Sequence, residues 1–304
     1  MQLGLFGQPV VERTKRNKQN LLLDVAVLAL HVGSLTLDSY SRPKSPHLYT
    51  QPQLLAILIL KAYLKQTYRG IIEVLETSKQ LCDALGLKDG RLPDHSSLKK
   101  FADRLGPTVL DQAVAQLLAF CLRNESNAAA EVAMDSTGVE CSTASQHYQM
   151  RIGRGRGRYV KLSLAVTCTT LLLVTFAVSF GPSHDRREVM DVLWRASGRC
   201  TPGALYADAG YDLEAAHAFC RDGWGVRSYI PPVARGGFGT IASPHRATMA
   251  GRDLTASGYG RRWHIESFIS GFKRTTSPGV RARTDAAMLT EAALNLLAYA
   301  IRRM

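Results

Sequence analysis

A chain of 304 residues, 46% of them hydrophobic, is long enough for one large domain and a smaller companion, and is neither fibrous nor disordered in composition. Its formal net charge of +13 favours an anionic partner, nucleic acid first and a membrane surface second, because a basic surface gathers polyanions whatever the fold. The six cysteines (Cys82, Cys121, Cys141, Cys168, Cys200, Cys220) contain no CxxC pair, and the N-terminal MQLGLFGQPVVERTKRNKQN lacks the order of a secretory leader, so reduced thiols in a cytosolic protein and no zinc site are expected.

From about Leu21 to Arg123 the apolar periodicity is helical. QPQLLAILILKAYLKQ reads as a buried or amphipathic helix, and YRGIIEVLETSKQLCDALGL as another, closed by Gly86. In LPDHSSLKKFADRLG, Pro93 and Asp94 break the chain, Ser96 or Ser97 caps a short basic helix carrying Lys99 and Lys100, and Gly106-Pro107 ends it. Helix, turn and capped basic helix make a loose helix-turn-helix outline, which on spacing alone describes ordinary helix packing equally well. VLDQAVAQLLAFCLRN is a third helix, and the small polar run ESNAAA reads as a linker. Residues 1–124 are therefore read as an all-α region and 130–304 as a second domain.

Beyond the linker the pattern becomes mixed. EVAMD is a short strand ending in the turn Ser136-Thr137-Gly138. Leu162 to Phe180 is apolar enough to suggest a membrane span, but its serines, threonines and β-branched residues fit two strands joined at Cys168-Thr169-Thr170 better. DRREVMDVLWRA is a helix with Asp185 and Glu188 spaced as a capping box. ALYAD is a strand, LEAAHAFCRDG a helix and VRSYIPPV a strand stopped by prolines. A Gly- and Arg-rich loop leads to a helix from Tyr259 to Arg274 and to a final amphipathic helix, Thr284 to Arg303. This order predicts an α/β mixed sheet behind the α region.

YGRRWHIESFISGFKR poses the functional question, since it sets charge among large apolar residues. At roughly 100° per residue, Tyr259, Arg262 and Lys273 fall within about 40° of Glu266 around the axis. Ile265, Ile269 and Phe272 fill the adjoining sector, so the polar strip borders the buried face. A surface Arg262–Glu266 pair at i, i+4 explains the strip equally well. The strand ends bear on the choice. EVAMD and ALYAD each finish on a carboxylate, Asp135 and Asp208, before small turn residues; either alone is a common turn-initiating aspartate. In an α/β sheet, however, such residues converge at one edge. With Glu266 they make three carboxylates that repel one another unless divalent metal neutralises them, and two Mg²⁺ ions at such a site activate water or a 3′-hydroxyl and stabilise a leaving oxygen.

Tyr259, Arg262, Glu266 and Lys273 match the Y-x2-R-x3-E-x6-K signature of bacterial insertion-sequence DDE transposases, the group spanning insertion-sequence families four and five. MDSTGV around Asp135 and ADAGYD around Asp208 look like that family's two aspartate motifs, and LPDHSSLKKFADRL is similar to its N-terminal helical region. The resemblance covers most of the chain from about Tyr49. It implies a ribonuclease-H-like catalytic domain at 130–304, flanked by helices, and a helical DNA-end-binding region at 1–124. It also implies nicking at element ends and joining of the 3′-hydroxyls to target DNA. Asp135, Asp208 and Glu266 would bind two Mg²⁺, with Mn²⁺ as a substitute, while Tyr259, Arg262 and Lys273 would contact DNA near the cleaved phosphate. The implied partners are element ends and target DNA, with a homodimer in the DNA complex, no membrane, and a bacterial cytoplasmic, nucleoid-associated location. A catalytically retired relative that only binds DNA, or another ribonuclease-H-like nuclease, are the alternatives. Between Asp208 and Glu266 there is room for one helix and one strand but no inserted β-domain.

RIGRGRGRYVK sets Arg151, Arg154, Arg156 and Arg158 in a glycine-spaced loop, either solvated or, for Arg154 and Arg156 above all, on DNA backbone. His184-Asp185 is read as a helix cap, His264 as a surface or packing residue, and Trp263 as a core residue rather than a base-stacking one.

Overall fold

The computed structural model describes residues 20–44, 47–87, 91–124, 129–141, 158–234, 241, 243–250 and 252–304. Helix α1 (Leu21–Thr36) begins where the Asn20 side chain accepts the Leu22 amide, and α2 (Gln51–Tyr63) opens on a reciprocal capping box between Thr50 and Gln53. Every residue of α2 from Leu55 to Leu60 is buried, which is why it is apolar on all sides. The stretch expected as one helix after it is two, α3 (Tyr68–Thr77) and α4 (Lys79–Ala84). Ser78 leaves helical geometry between them and its hydroxyl accepts the Leu81 amide, so a residue that competes for the backbone starts a new helix. Helix α5 (His95–Arg104) is capped by Asp94 and not by either serine; its carboxylate takes the Ser96 amide at 2.8 Å and adds charge where the helix end favours an anion. Helix α6 (Pro107–Asn124) completes the series.

The sheet comprises β1 (Glu131–Glu140), β2 (Tyr159–Thr167), β3 (Leu173–Gly181), β4 (Ala204–Ala207) and β5 (Arg227–Tyr229), in the order β3-β2-β1-β4-β5. The first three form an antiparallel meander, and β4 and β5 continue it parallel to β1. Interleaved are α7 (Val189–Ser197), α8 (Glu214–Ala218), α9 (Pro244–Ala250), α10 (His264–Thr275) and α11 (Asp285–Arg302). This is the ribonuclease-H-like arrangement expected, behind an all-helical N-terminal region. Two local expectations fail. β1 does not turn at Ser136-Thr137-Gly138, because β2 pairs with it from Val132 through Glu140 and the ladder overrides the turn preference of small residues. Among its described residues the Asp208–Glu266 interval holds two short α-helices, α8 and α9, and a strand, since SPHRATMA contains α9.

Alternation along β1 builds two cores. Val132 and Met134 join Val192, Leu193 and Ala216 under α7 and α8; Ala133 and Val139 join Ile265, Phe268 and Phe272 of α10 on the opposite face. The second core continues into the helical region through α11, buried from Ala292 to Ile301 and packed on α2 and α6. Among the described residues, no single helix is long and apolar enough to cross a membrane. None of the six cysteines forms a disulfide.

Candidate active site

Strand register creates the site. β1 and β4 pair in parallel with one constant offset, Glu131 facing Ala204 and Met134 facing Ala207. The same offset carries Asp135 onto Asp208 at the point where β4 ends. Each aspartate lies two residues beyond a member of the α10-side core, Ala133 or Tyr206, so both belong to that face of the sheet. Local bonds fix them: Asp135 Oδ1 accepts the Ser136 amide at 2.8 Å, and Asp208 caps the 3₁₀ turn Ala209–Tyr211 by accepting the Gly210 amide at 2.9 Å.

The third carboxylate arrives from α10. Tyr259–Trp263, expected as the first turn of this helix, is a 3₁₀ turn, and it starts at Gly258 with φ +74°, which a side chain resists. Ile265, Phe268 and Phe272 seat α10 in the core and leave Glu266 at its edge with a half-exposed side chain. Arg262 joins helix to strand: its Nη2 donates to Glu266 Oε1 at 2.6 Å and its Nη1 to Asp135 Oδ2 at 3.4 Å. The i, i+4 pair is therefore present, but the reach to Asp135 makes it part of the carboxylate group rather than a surface pair alone. Tyr259 donates its hydroxyl to Ala207 O at 3.0 Å, anchoring the turn beside Asp208. Lys273 is exposed, about 10 Å along the helix from Glu266 at 1.5 Å per residue. Trp263 is 57% exposed and stacks on His264, contrary to core packing, because it lies on the side of the axis away from Ile265, Ile269 and Phe272.

Burial foremost, and then the nearby charges of Asp208 and Glu266, push the Asp135 carboxyl above its ordinary range against the opposing pull of the Ser136 amide and Arg262. Burial likewise raises the Tyr259 phenol. Asp135 and Glu266 share one guanidinium, and Asp208 beside them adds a third acid, an excess of negative charge where β4 ends. Among the described residues, no three Asp, Glu, His or Cys side chains stand close enough together to hold a metal ion as they are; Arg262 lies between Asp135 and Glu266. The donor set nevertheless fits a hard divalent cation, being carboxylate oxygen throughout with mutual repulsion to relieve.

Of the other expected residues, Lys99 and Lys100 are exposed on α5, Lys99 paired with Asp103. Arg151, Arg154 and Arg156 lie outside the described residues. Arg158 is pinned by both oxygens of Asp285, at 2.8 and 2.6 Å, and lies 3.5 Å from the Phe180 ring centroid. The capping box at Asp185 and Glu188 does not form: a 3₁₀ turn, Asp185–Arg187, opens there without a side-chain cap. Both acids instead take Lys161, buried at 3% exposure, at 2.9 and 3.0 Å. A lysine inside the apolar strand YVKLSLAVT was the signal for this, since a buried ammonium requires carboxylate partners.

Fold and site thus describe a ribonuclease-H-like unit with carboxylates gathered on its central strands. The transposase DDE domain family matches residues 128–301, more than half of the chain, and the chain belongs to that family. It is a transposase, its partner class is DNA, and transposases of this family generally use divalent metal ions. The match opens just before β1 and closes within α11, leaving the helices before it outside. Among curated proteins there is no match.

Proposed function

We propose that this transposase cleaves phosphodiesters at the ends of an insertion sequence and joins the freed 3′-hydroxyls to target DNA, with Asp135, Asp208 and Glu266 as its catalytic carboxylates. The carrying observation is the shared offset that sets Asp135 beside Asp208, with Arg262 linking Glu266 to the same pair. These three acids would hold two Mg²⁺, or Mn²⁺ in substitution, and such ions activate the attacking oxygen and stabilise the leaving one.

The protein's own groups position the DNA. Arg262 stands at the carboxylates and can turn a forked guanidinium to the scissile phosphate. Lys273 extends the positive strip, Tyr259 borders it with its ring, and exposed Trp263 offers a face on which a base can stack. The division into an end-binding region, 1–124, and a catalytic domain, 130–304, belongs to the same reading. Lys99 and Lys100 are placed on the end-binding side. A cavity of about 440 Å³ opens between α2, α3, α5 and the start of α11, lined by Lys61, Lys99, Arg281 and Arg283 together with Asp103 and Glu291. Membership of the group spanning families four and five, and a homodimer on DNA, complete the proposal.

The test is strand nicking on a duplex bearing the element end, with Mg²⁺ or Mn²⁺, by wild type and by Asp135→Asn, Asp208→Asn and Glu266→Gln. Loss of nicking with retained gel-shift binding supports the reading, and near-normal nicking by any one variant removes that residue from the site.

A further inference from the structure

The Lys161 cluster borders the candidate site closely enough to act on it. Asp185 Oδ1, held by Lys161 at 2.9 Å, also accepts the Ser136 hydroxyl at 2.6 Å, and the amide of that same serine binds Asp135. The other oxygen of Asp185 faces the second aspartate's turn. A Cβ on Gly210 would stand 2.9 Å from Asp185 Oδ2 and 2.9 Å from Asp208 Oδ1, so both carboxylates press on one glycine. The 3₁₀ turn of Asp185 packs directly on that of Gly210. Tyr211, the last residue of that turn, is fully buried, and burial first, then Asp185 and Asp135, raises its phenol pKa.

We infer that Asp185 is a positioning residue for the DNA-cleaving centre: held by buried Lys161, which it shares with Glu188, it clamps Ser136 on one side and the Gly210 turn on the other, and so fixes the spacing of Asp135 and Asp208. The inference rests on the reading of those aspartates as the metal-binding pair. Asp185 is not itself assigned as a ligand, because Oδ1 already carries an ammonium and a hydroxyl. Without the clamp, Ser136 loses its acceptor and the 209–211 turn loses the wall it leans on. Both aspartates then wander by fractions of an ångström, which is costly where two ligands must converge; outer partners of this kind alter metal affinity or activity by about 10- to 100-fold.

The experiment uses the full chain. Asp185→Ala is expected to raise hydrogen exchange in the metal-free protein at segments containing Ser136 and Gly210. It is also expected to weaken Mn²⁺ binding in calorimetry and slow single-turnover nicking, each by about 10- to 100-fold. Asp185→Asn keeps the shape and an acceptor for Ser136, and should stay within about threefold of wild type in both measurements, the range of a preserved contact. Wild-type exchange and affinity in Asp185→Ala overturn the clamp. So does an Asn variant as damaged as the Ala variant with exchange unaltered, the behaviour of a direct ligand. Should Asp185→Ala fail to fold, Ser136→Ala cuts the link alone, and unaltered exchange and Mn²⁺ affinity there overturn the inference equally. If the wild type itself neither binds Mn²⁺ nor nicks DNA, the catalytic reading fails, while the exchange arm still decides the clamp.

Discussion

Two kinds of acid cluster coexist in this protein, and they are neutralised differently. Asp212 is fully buried and takes two bonds from Arg246, at 2.8 and 2.7 Å, and the Val233 amide at 2.8 Å. Asp111, buried under β3, has Arg199, Arg195, the Thr175 hydroxyl and the Phe176 amide. Each of these acids has at least one guanidinium to itself. Where β4 ends, Asp135 and Glu266 share Arg262 with Asp208 set beside them, and burial first, then the charges of Asp208 and Glu266, raises the Asp135 pKa. Acids that hold a fold together are matched by fixed positive charge, whereas acids under-matched at an accessible edge suit, on the proposed reading, a cation that comes and goes.

The contrast is broken most severely through chemistry. Asp135→Asn, Asp208→Asn and Glu266→Gln should each lower single-turnover nicking by about a thousandfold or more, the scale of losing a metal ligand, while thermal melting stays near wild type. The reverse pattern is expected at the other cluster. Arg246→Met strands a buried carboxylate and should cost about 3–5 kcal/mol of stability in chemical denaturation, as breaking one side of a buried pair does. A loss under about 1 kcal/mol would put Asp212 in the class of exposed pairs and erase the distinction.

Arg262 and Lys273 sharpen the comparison at intermediate scale. Arg262→Ala and Lys273→Ala should each slow strand joining by roughly tenfold with nearly unchanged melting, because a positioning contact is lost and no fold contact depends on it. Unaltered joining in both would return them to surface charge.

The smallest effect concerns pH in chelator-treated protein. A carboxyl whose folded pKa is raised holds its proton to higher pH in the native state than in the unfolded one. Its burden on stability is therefore absent below the ordinary aspartate pKa of about 3.9 and grows as pH rises through the raised value. Asp135→Asn should consequently melt higher than wild type at neutral pH, the difference vanishing toward acid. An Asn variant that melts lower at pH 7 than wild type would contradict the under-matched description.

Long-range pattern was readable in the sequence, and local geometry less so. The Leu162–Phe180 hairpin, the last helix and the ribonuclease-H-like order follow from periodicity and from the family resemblance. The spacing of EVAMD and ALYAD already contained the β1–β4 offset, but only paired strands reveal that the offset is the register. The 3₁₀ turn at Tyr259–Trp263 was hidden because a wheel assumes 100° throughout, whereas Trp263 was expected in the core from its size alone, although the same wheel sets it opposite Ile265, Ile269 and Phe272. Strand β1 outran its expected turn because the pairing partner is distant in sequence. Asp185 was read as a cap since its spacing to Glu188 fits one; tertiary contact with Lys161 won over the local motif.

The central claim, that under-matched carboxylates bind the metal that cleaves DNA, is tested most directly by changing a ligand's softness. Asp208→Cys presents a thiolate, which binds Mn²⁺ better than it binds Mg²⁺. Nicking of an end-bearing duplex should be lost in Mg²⁺ and regained in substantial part in Mn²⁺, relative to wild type in each ion. Full nicking by Asp208→Cys in Mg²⁺ would show that the residue touches no catalytic metal and would contradict the account.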